Sequence, residues 1–268
     1  MRRLIAVFTN TYGRWGARQT VLGVAELGLK HIEIGLQPEP SKDDPLVRLS
    51  DKSSPESLQQ FKALLEEKDV RVSAAFGHAD IRTREGLNKL IKQMEIAHSL
   101  GARVFNVSAP ERTKTVYDHL LELGEAALFR GVLVCLETHP PLFSSADSGL
   151  QTMRDLKHSN IRINFDTANL YYYNETIDAL AELERMLEYV RHVHLKDSRK
   201  KFEDWYFPAI GKGAIDFPRL FRILDQVGFY GPFSLELEGI KGEEDSLALR
   251  HQRVADSLAY LRDIGVVF

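Results

Sequence analysis

The chain has 268 residues, 44% of them apolar, enough to core one large α/β domain or two small ones. Its 35 basic and 38 acidic residues leave a net charge of -3, which gives no footprint for nucleic acid or an anionic membrane. Cys135 is the only cysteine, so an intramolecular disulfide and a thiolate-rich zinc site are excluded, and no apolar run approaches the ~20 residues of a membrane span.

The N-terminal MRRLIAVFTNTYG pairs two arginines with a short apolar run that Asn10 to Arg14 breaks too early for a signal peptide, so the expectation is a cytoplasmic protein. RLIAVFT (3–9) reads as a buried strand, followed by a helix over 17–29 with Gly28 near its end. HIEIGL is the second strand, with Ile32, Ile34 and Leu36 on one face and His31, Glu33 and Gly35 on the other. After a polar, proline-rich loop, Ser54-Pro55-Glu56 has the cap-then-proline form of a helix start. VRVSAAFGH is strand three, a helix spans 83–99, and ARVFNVSAP is strand four.

The cycle continues with helices near 115–129, 149–158, 176–188, 217–227 and 245–263. Between them lie LVCLETHP, RINFDTAN, RHVHLKDS and FSLELEG, while 198–214 reads as a longer loop. Eight strand–helix units with no low-complexity segment predict a (β/α)8 TIM barrel, a single domain over residues 1–268. A doubly wound sheet is the rival, but Asn10-Thr11-Tyr12-Gly13 does not supply its glycine-rich phosphate loop.

Alternation along the last four strands carries the functional argument. In each, apolar residues share one face, and an ionisable residue stands near the C-terminal end of the other: Glu137, Asp166, His194 and Glu236. In a barrel the apolar faces meet the outer helices, so these four converge at the top of adjacent strands. Three carboxylates held together disfavour ionisation unless something compensates them. Any one of the four is also what a buried ion pair looks like. Four at matching depth point instead to one divalent ion, Mn²⁺, Mg²⁺, Co²⁺ or Zn²⁺, with positions left for substrate oxygens.

LETH, NFDTAN, HVHLKD and LELEG, in this order and with GKGAIDF before the seventh helix, resemble the xylose isomerase-like TIM-barrel superfamily over essentially the whole chain. The resemblance implies a sugar or sugar phosphate isomerase or epimerase with Glu137, Asp166, His194 and Glu236 as metal ligands. It further implies that Glu137 and Glu236 exchange a proton with the carbon beside a metal-polarised carbonyl, through a cis-enediolate.

Other residues have weaker claims. His139 is expected at the rim as a substrate contact, with a surface histidine as the alternative. Asn169 stands where relatives often carry a substrate-binding histidine. His78 and Asn106 are candidates to bind hydroxyls or to cap loops. Glu33 is expected inward, as a buried partner for an arginine or histidine, and His192 one layer below His194 in a supporting role. Glu238 competes with Glu236 as ligand, and Glu236 is preferred. Lys200, between Arg199 and Lys201, is a candidate for an anionic group on the substrate or a solvated loop residue. Trp205, Tyr206 and Phe207 are expected to cover the pocket or to pack against another subunit of a homo-oligomer. Cys135 reads as barrel filling.

The superfamily also contains dehydratases and a phosphodiester nuclease, so the fold alone does not choose the reaction. Dehydration of a keto-inositol or related keto-sugar is the runner-up, because it begins with the same proton abstraction. An endonuclease IV-like activity ranks below it, since the chain has few histidines at strand ends and no basic excess. A non-catalytic sugar binder has no need of both acid/base carboxylates.

Overall fold

The computed structural model describes residues 1–268. Its principal strands are β1 (Ile5–Phe8), β2 (His31–Gln37), β3 (Arg71–Gly77), β4 (Val104–Val107), β5 (Leu133–Glu137), β6 (Ile161–Asp166), β7 (Val190–Leu195) and β8 (Phe233–Leu235). They alternate with α1 (Gly16–Glu26), α2 (Pro55–Glu67), α3 (Arg84–Ser99), α4 (Lys114–Leu128), α5 (Ala146–Leu156), α6 (Ala179–Met186), α7 (Phe217–Asp225) and α8 (Leu247–Asp263). Every strand pairs in parallel with its sequence neighbours, and β8 returns to β1, so the sheet closes into the TIM barrel. No helix is long and apolar enough to cross a membrane.

Helix starts follow the side-chain chemistry. Ser54, Thr83, Thr113, Asp216 and Ser246 each accept a backbone N–H in the first turn of the helix they precede. Two helices begin at different places from the sequence expectation for the same reason. Ser145 and Ser148 form a reciprocal capping box that starts α5 at Ala146, ahead of Gly149. Asp178 caps Leu180 and Ala181, which starts α6 at Ala179, after Thr176.

The outward residues of the strands, such as Ile34, Phe105, Val134, Ile163, Val193 and Leu235, join the helices in one core of 68 buried residues. Inside the barrel, Ala74, Val104 and Cys135 form a small separate cluster. That is the filling role the sequence assigns to Cys135, whose thiol is buried and pushed up in pKa by desolvation.

Three features at the top of the barrel exceed the sequence reading. After β1 the chain winds through 3-10 turns over Thr9–Trp15, kinked at Gly13. A short helix, Asn169–Tyr173, follows β6 directly. Within the long loop after β7, Tyr206–Phe207 pairs antiparallel with Gly239–Ile240 and ties that loop to the segment after β8. The loop is also anchored from below by Asp197. Its carboxylate accepts the N–H groups of Ser198 (2.8 Å), Gly211 (2.8 Å), Gly213 (2.8 Å) and Ile215 (3.2 Å). A Cβ on Gly213 would lie 2.2 Å from Asp197 Oδ1, so only glycine allows the backbone this close.

Removing this carboxylate strands several buried donors at once. Asp197→Ala is expected to lower the unfolding free energy by about 3 kcal/mol and to expose the 198–215 segment to proteolysis; a denaturation midpoint equal to the parent's would show the loop to be held by other contacts.

Candidate metal centre

Glu137 ends β5, Asp166 ends β6, His194 lies near the end of β7, and Glu236 is the first residue beyond β8. All four are buried, and one ligand atom from each falls in a group whose members lie within 4.8 Å of one another. His194 Nδ1 is 3.1 Å from Glu137 Oε1 and 3.1 Å from Glu236 Oε2.

The two oxygens of Asp166 are used differently. Oδ1 accepts the N–H groups of Ala168 and Asn169, both at 2.7 Å, and so orders the start of the short helix after β6. Oδ2 is buried and accepts no hydrogen bond, and the same holds for Glu236 Oε2, although cationic side chains of the chain approach both. Buried carboxylate oxygens that accept no hydrogen bond, next to an imidazole nitrogen, match the hard-to-borderline donor set of a divalent ion. The residues fit such an ion, and the two orphaned oxygens are the observation that says so.

A cation of the chain's own already sits here. Lys196 is buried, and its Nζ lies 3.3 Å from Asp166 Oδ2, 3.1 Å from Glu236 Oε2 and 2.8 Å from Glu238 Oε2. Asn169 Oδ1 accepts from it at 3.3 Å, and the Phe207 ring centroid is 5.0 Å away. The sequence reading assigned Lys196 no role. Its signal was available, because it is two residues after His194 and so keeps the same parity as the inward histidines. Asn10 was also missed. Its Nδ2 donates to Glu236 Oε1 at 2.6 Å across 226 positions of sequence, a contact that no local pattern encodes.

Charges in this buried cluster shift one another strongly. Burial pushes the Asp166 carboxyl up to about 7, opposed by Lys196 and assisted by Glu236 and Glu137. Burial acts to raise Glu236 too, but Lys196 and His194 outweigh it and hold that carboxyl well below the usual range. Burial disfavours the cations of His194 and Lys196. Glu33 and Glu236 overcome it for the histidine, and Asp166 and Glu236 for the lysine, so both stay well above their ordinary values.

Below the four lies a second polar layer. Glu33 Oε2 is 2.9 Å from His194 Nε2 and 3.6 Å from His192 Nε2, and Glu33 Oε1 accepts from Asn106 Nδ2 at 2.7 Å. Glu33 is thus the buried histidine partner expected of it. His192 sits in the supporting layer, bonded to Asn164 Oδ1 (2.9 Å), and burial lowers its pKa to about 4.

The remaining candidates separate into those near the mouth and those away from it. His139 is partly exposed, with Nε2 2.6 Å from the Tyr173 hydroxyl, whose pKa burial raises to about 12. His78 is partly buried against Phe76, with Nδ1 3.2 Å from the Leu36 carbonyl oxygen. Trp205 packs edge-on against Tyr172 and Phe207 and stays 41% exposed, so Phe207, buried beneath it, forms the inner wall.

One expectation is corrected. Asn106 is fully buried in the lower layer, because its strand register sets it beside Cys135 rather than Glu137, and it serves Glu33 and His192 instead of a substrate hydroxyl. Lys200 is exposed, with its ammonium 5.4 Å from the Tyr171 ring centroid. At the opposite, N-terminal end of the strands, a cleft of about 870 Å³ lined by His31, Arg71 and Arg103 contains none of these residues.

Residues 22–264 match the family model described as xylose isomerase-like TIM barrel. Among curated relatives, an inosose dehydratase of Clostridium perfringens is 26% identical over 224 residues, covering 69% of this chain and 75% of that protein. Among solved structures, a xylose isomerase-like TIM barrel protein from Mycobacterium smegmatis in complex with magnesium superposes with a TM-score of 0.75 at 19% identity, covering 98% of this chain and 96% of that one. An L-ribulose 3-epimerase superposes with a TM-score of 0.72 at 17% identity, again covering 98% and 96%.

Ligation needs Asp166 ionised and Nδ1 of His194 free of its proton, and both groups hold protons more tightly than usual. Protons therefore compete with the ion as pH falls through about 7. Affinity for Mn²⁺ is expected to drop about tenfold or more between pH 8 and pH 6, with proton release on binding, read by calorimetry in buffers of different ionisation enthalpy. An affinity independent of pH would mean that these two groups do not bind the ion.

Proposed function

The chain belongs to the xylose isomerase-like TIM-barrel family, and on that premise we propose that it is a divalent-metal-dependent isomerase or epimerase of a sugar or closely related keto-sugar. The observation that carries this reading is the pair of orphaned, buried oxygens on Asp166 and Glu236 beside Glu137 and His194. When bound by these four residues, the ion supplies the Lewis acidity that makes a C–H beside a carbonyl acidic enough to lose its proton.

The chain's own groups do the rest. Glu137 and Glu236 are the carboxylates placed to take that proton and return it. Asn10 fixes one oxygen of Glu236, so its reactive geometry does not depend on the ion alone. Lys196 places a buried positive charge next to Glu236 and Asp166, favouring negative charge in the mouth as the enediolate forms. Phe207, packed under the lysine, and Phe8 and Phe76, stacked near His194, keep the inner wall apolar and limit water.

A second outcome of the same first step is loss of a hydroxyl, which would make the protein a dehydratase of a keto-inositol or similar compound. One feature of the site favours it. His139 and Tyr173, hydrogen-bonded to each other at the rim, form a proton donor placed outside the carboxylate cluster, as a departing hydroxyl requires. Similarity to an inosose dehydratase points the same way.

Protein loaded with Mn²⁺, incubated with ketoses and keto-inositols in D₂O and followed by NMR, tests both readings. Deuterium is expected at the carbon beside the carbonyl. The Glu236→Gln variant should slow its uptake at least about a hundredfold, and Asp166→Asn should lose the metal by mass spectrometry. Epimer formation identifies the isomerase; an enone-type product that forms more slowly in His139→Ala identifies the dehydratase. Undiminished exchange in Glu236→Gln would place the base elsewhere, and full metal retention in Asp166→Asn would refute the centre.

A further inference from the structure

We propose that Glu33, on the far side of the barrel from the sequence motifs of the site, is a positioning residue that fixes which nitrogen of His194 faces the metal; this rests on the metal centre argued above. His194 presents Nδ1 to Glu137 and Glu236, at 3.1 Å from each, and turns Nε2 downward to Glu33 Oε2 at 2.9 Å. A histidine that gives one nitrogen to an ion keeps its single proton on the other. Glu33 is the acceptor waiting at that other nitrogen.

The rest of the layer makes Glu33 the deciding group. Asn164 Nδ2 approaches both ring nitrogens, at 3.3 and 3.4 Å, and as a donor it does not choose between them. Phe8 and Phe76 stack near the ring and set its plane, with no polar atom to offer. Glu33 in turn is held by Asn106, whose Nδ2 donates to Oε1 at 2.7 Å. Glu33, His194 and Asn106 are all fully buried, so water cannot substitute for any of them. An acceptor locked by its own hydrogen bond behind a ligating imidazole is the arrangement that orients the ring and raises its basicity.

Glu33, His192 and His194 are also close enough together to suggest a second ion. The hydrogen bonding argues otherwise. Both oxygens of Glu33 already accept hydrogen bonds, whereas Asp166 Oδ2 and Glu236 Oε2 accept none, and His192 is engaged by Asn164 and Ser234. The lower trio is a support for the upper centre.

Two variants separate positioning from mere packing. Glu33→Ala removes the acceptor. Glu33→Gln keeps a carbonyl oxygen for the His194 Nε2–H, and a turned Asn106 amide can meet the new NH₂ with its Oδ1, an oxygen that now has no partner. Calorimetric titration with Mn²⁺ is expected to show affinity weakened about 10- to 100-fold in Glu33→Ala and within a few-fold of the parent in Glu33→Gln. Long-range ¹H–¹⁵N NMR of the parent protein with Mg²⁺ is expected to show the His194 proton on Nε2, a readout that needs no variant to fold. A proton found on Nδ1, or unchanged Mn²⁺ affinity in a folded Glu33→Ala, overturns the role of Glu33 while leaving the centre intact. Failure of the parent itself to bind either ion overturns the centre, and this role with it.

Discussion

The structure is organised around four carboxylates, Glu137, Asp166, Glu236 and Glu238, gathered at the mouth of a closed barrel where three of them have almost no contact with water. Like charges this close and this dry repel too strongly to coexist unaided. Lys196 and His194 are the permanent answer, one reaching Asp166, Glu236 and Glu238, the other Glu137 and Glu236. The compensation is one of charge and not of hydrogen bonding, since Asp166 Oδ2 and Glu236 Oε2 lie beside these cations yet accept no hydrogen bond. A fully satisfied cluster would be a structural ion network. A cluster with two buried carboxylate oxygens that accept no hydrogen bond keeps donor atoms that a further cation could use.

The surrounding elements serve that cluster. Closure of the barrel brings β8 against β1, and with it Glu236 against Asn10. The Asp166 side chain divides its work between ordering the helix after β6 and facing the mouth. Asp197, the neighbour of Lys196 with the opposite parity, turns away from the mouth and gathers four backbone donors of the long loop. That loop carries Phe207 to the lysine. One segment of five residues, His194 to Ser198, thus supplies the imidazole, the internal cation and the anchor of the wall over them.

Polarity inside the barrel runs in layers. Ala74, Val104 and Cys135 fill the floor, Glu33, Asn106, Asn164 and His192 form a middle polar layer, and Glu137, Asp166, His194 and Glu236 stand on top. The middle layer is hydrogen-bonded nearly throughout, with Asn106 Oδ1 the exception. Such a network is costly unless its geometry is fixed, and once fixed it transmits that rigidity to whatever it touches. What it touches is His194.

Much of this was legible in the sequence because strand side chains alternate with a period of two. Alternation alone puts Glu137, Asp166, His194 and Glu236 on the inner face, and the count of strand–helix units closes the sheet. Capping residues such as Ser54 and Thr83 mark helix starts, since their side chains satisfy donors that any helix leaves open. Alternation fixes the face but not the depth. Asn106 has the inward parity of a site residue, yet its register partner is Cys135 and not Glu137, and it bonds within the middle layer to Glu33 and His192. Several residues beyond a strand end, parity says nothing, so the sequence does not set where Lys200, which lies beside Tyr171, points. Asn10 and Glu33 meet their partners across 226 and 161 positions of chain, and only closure of the barrel decides such contacts.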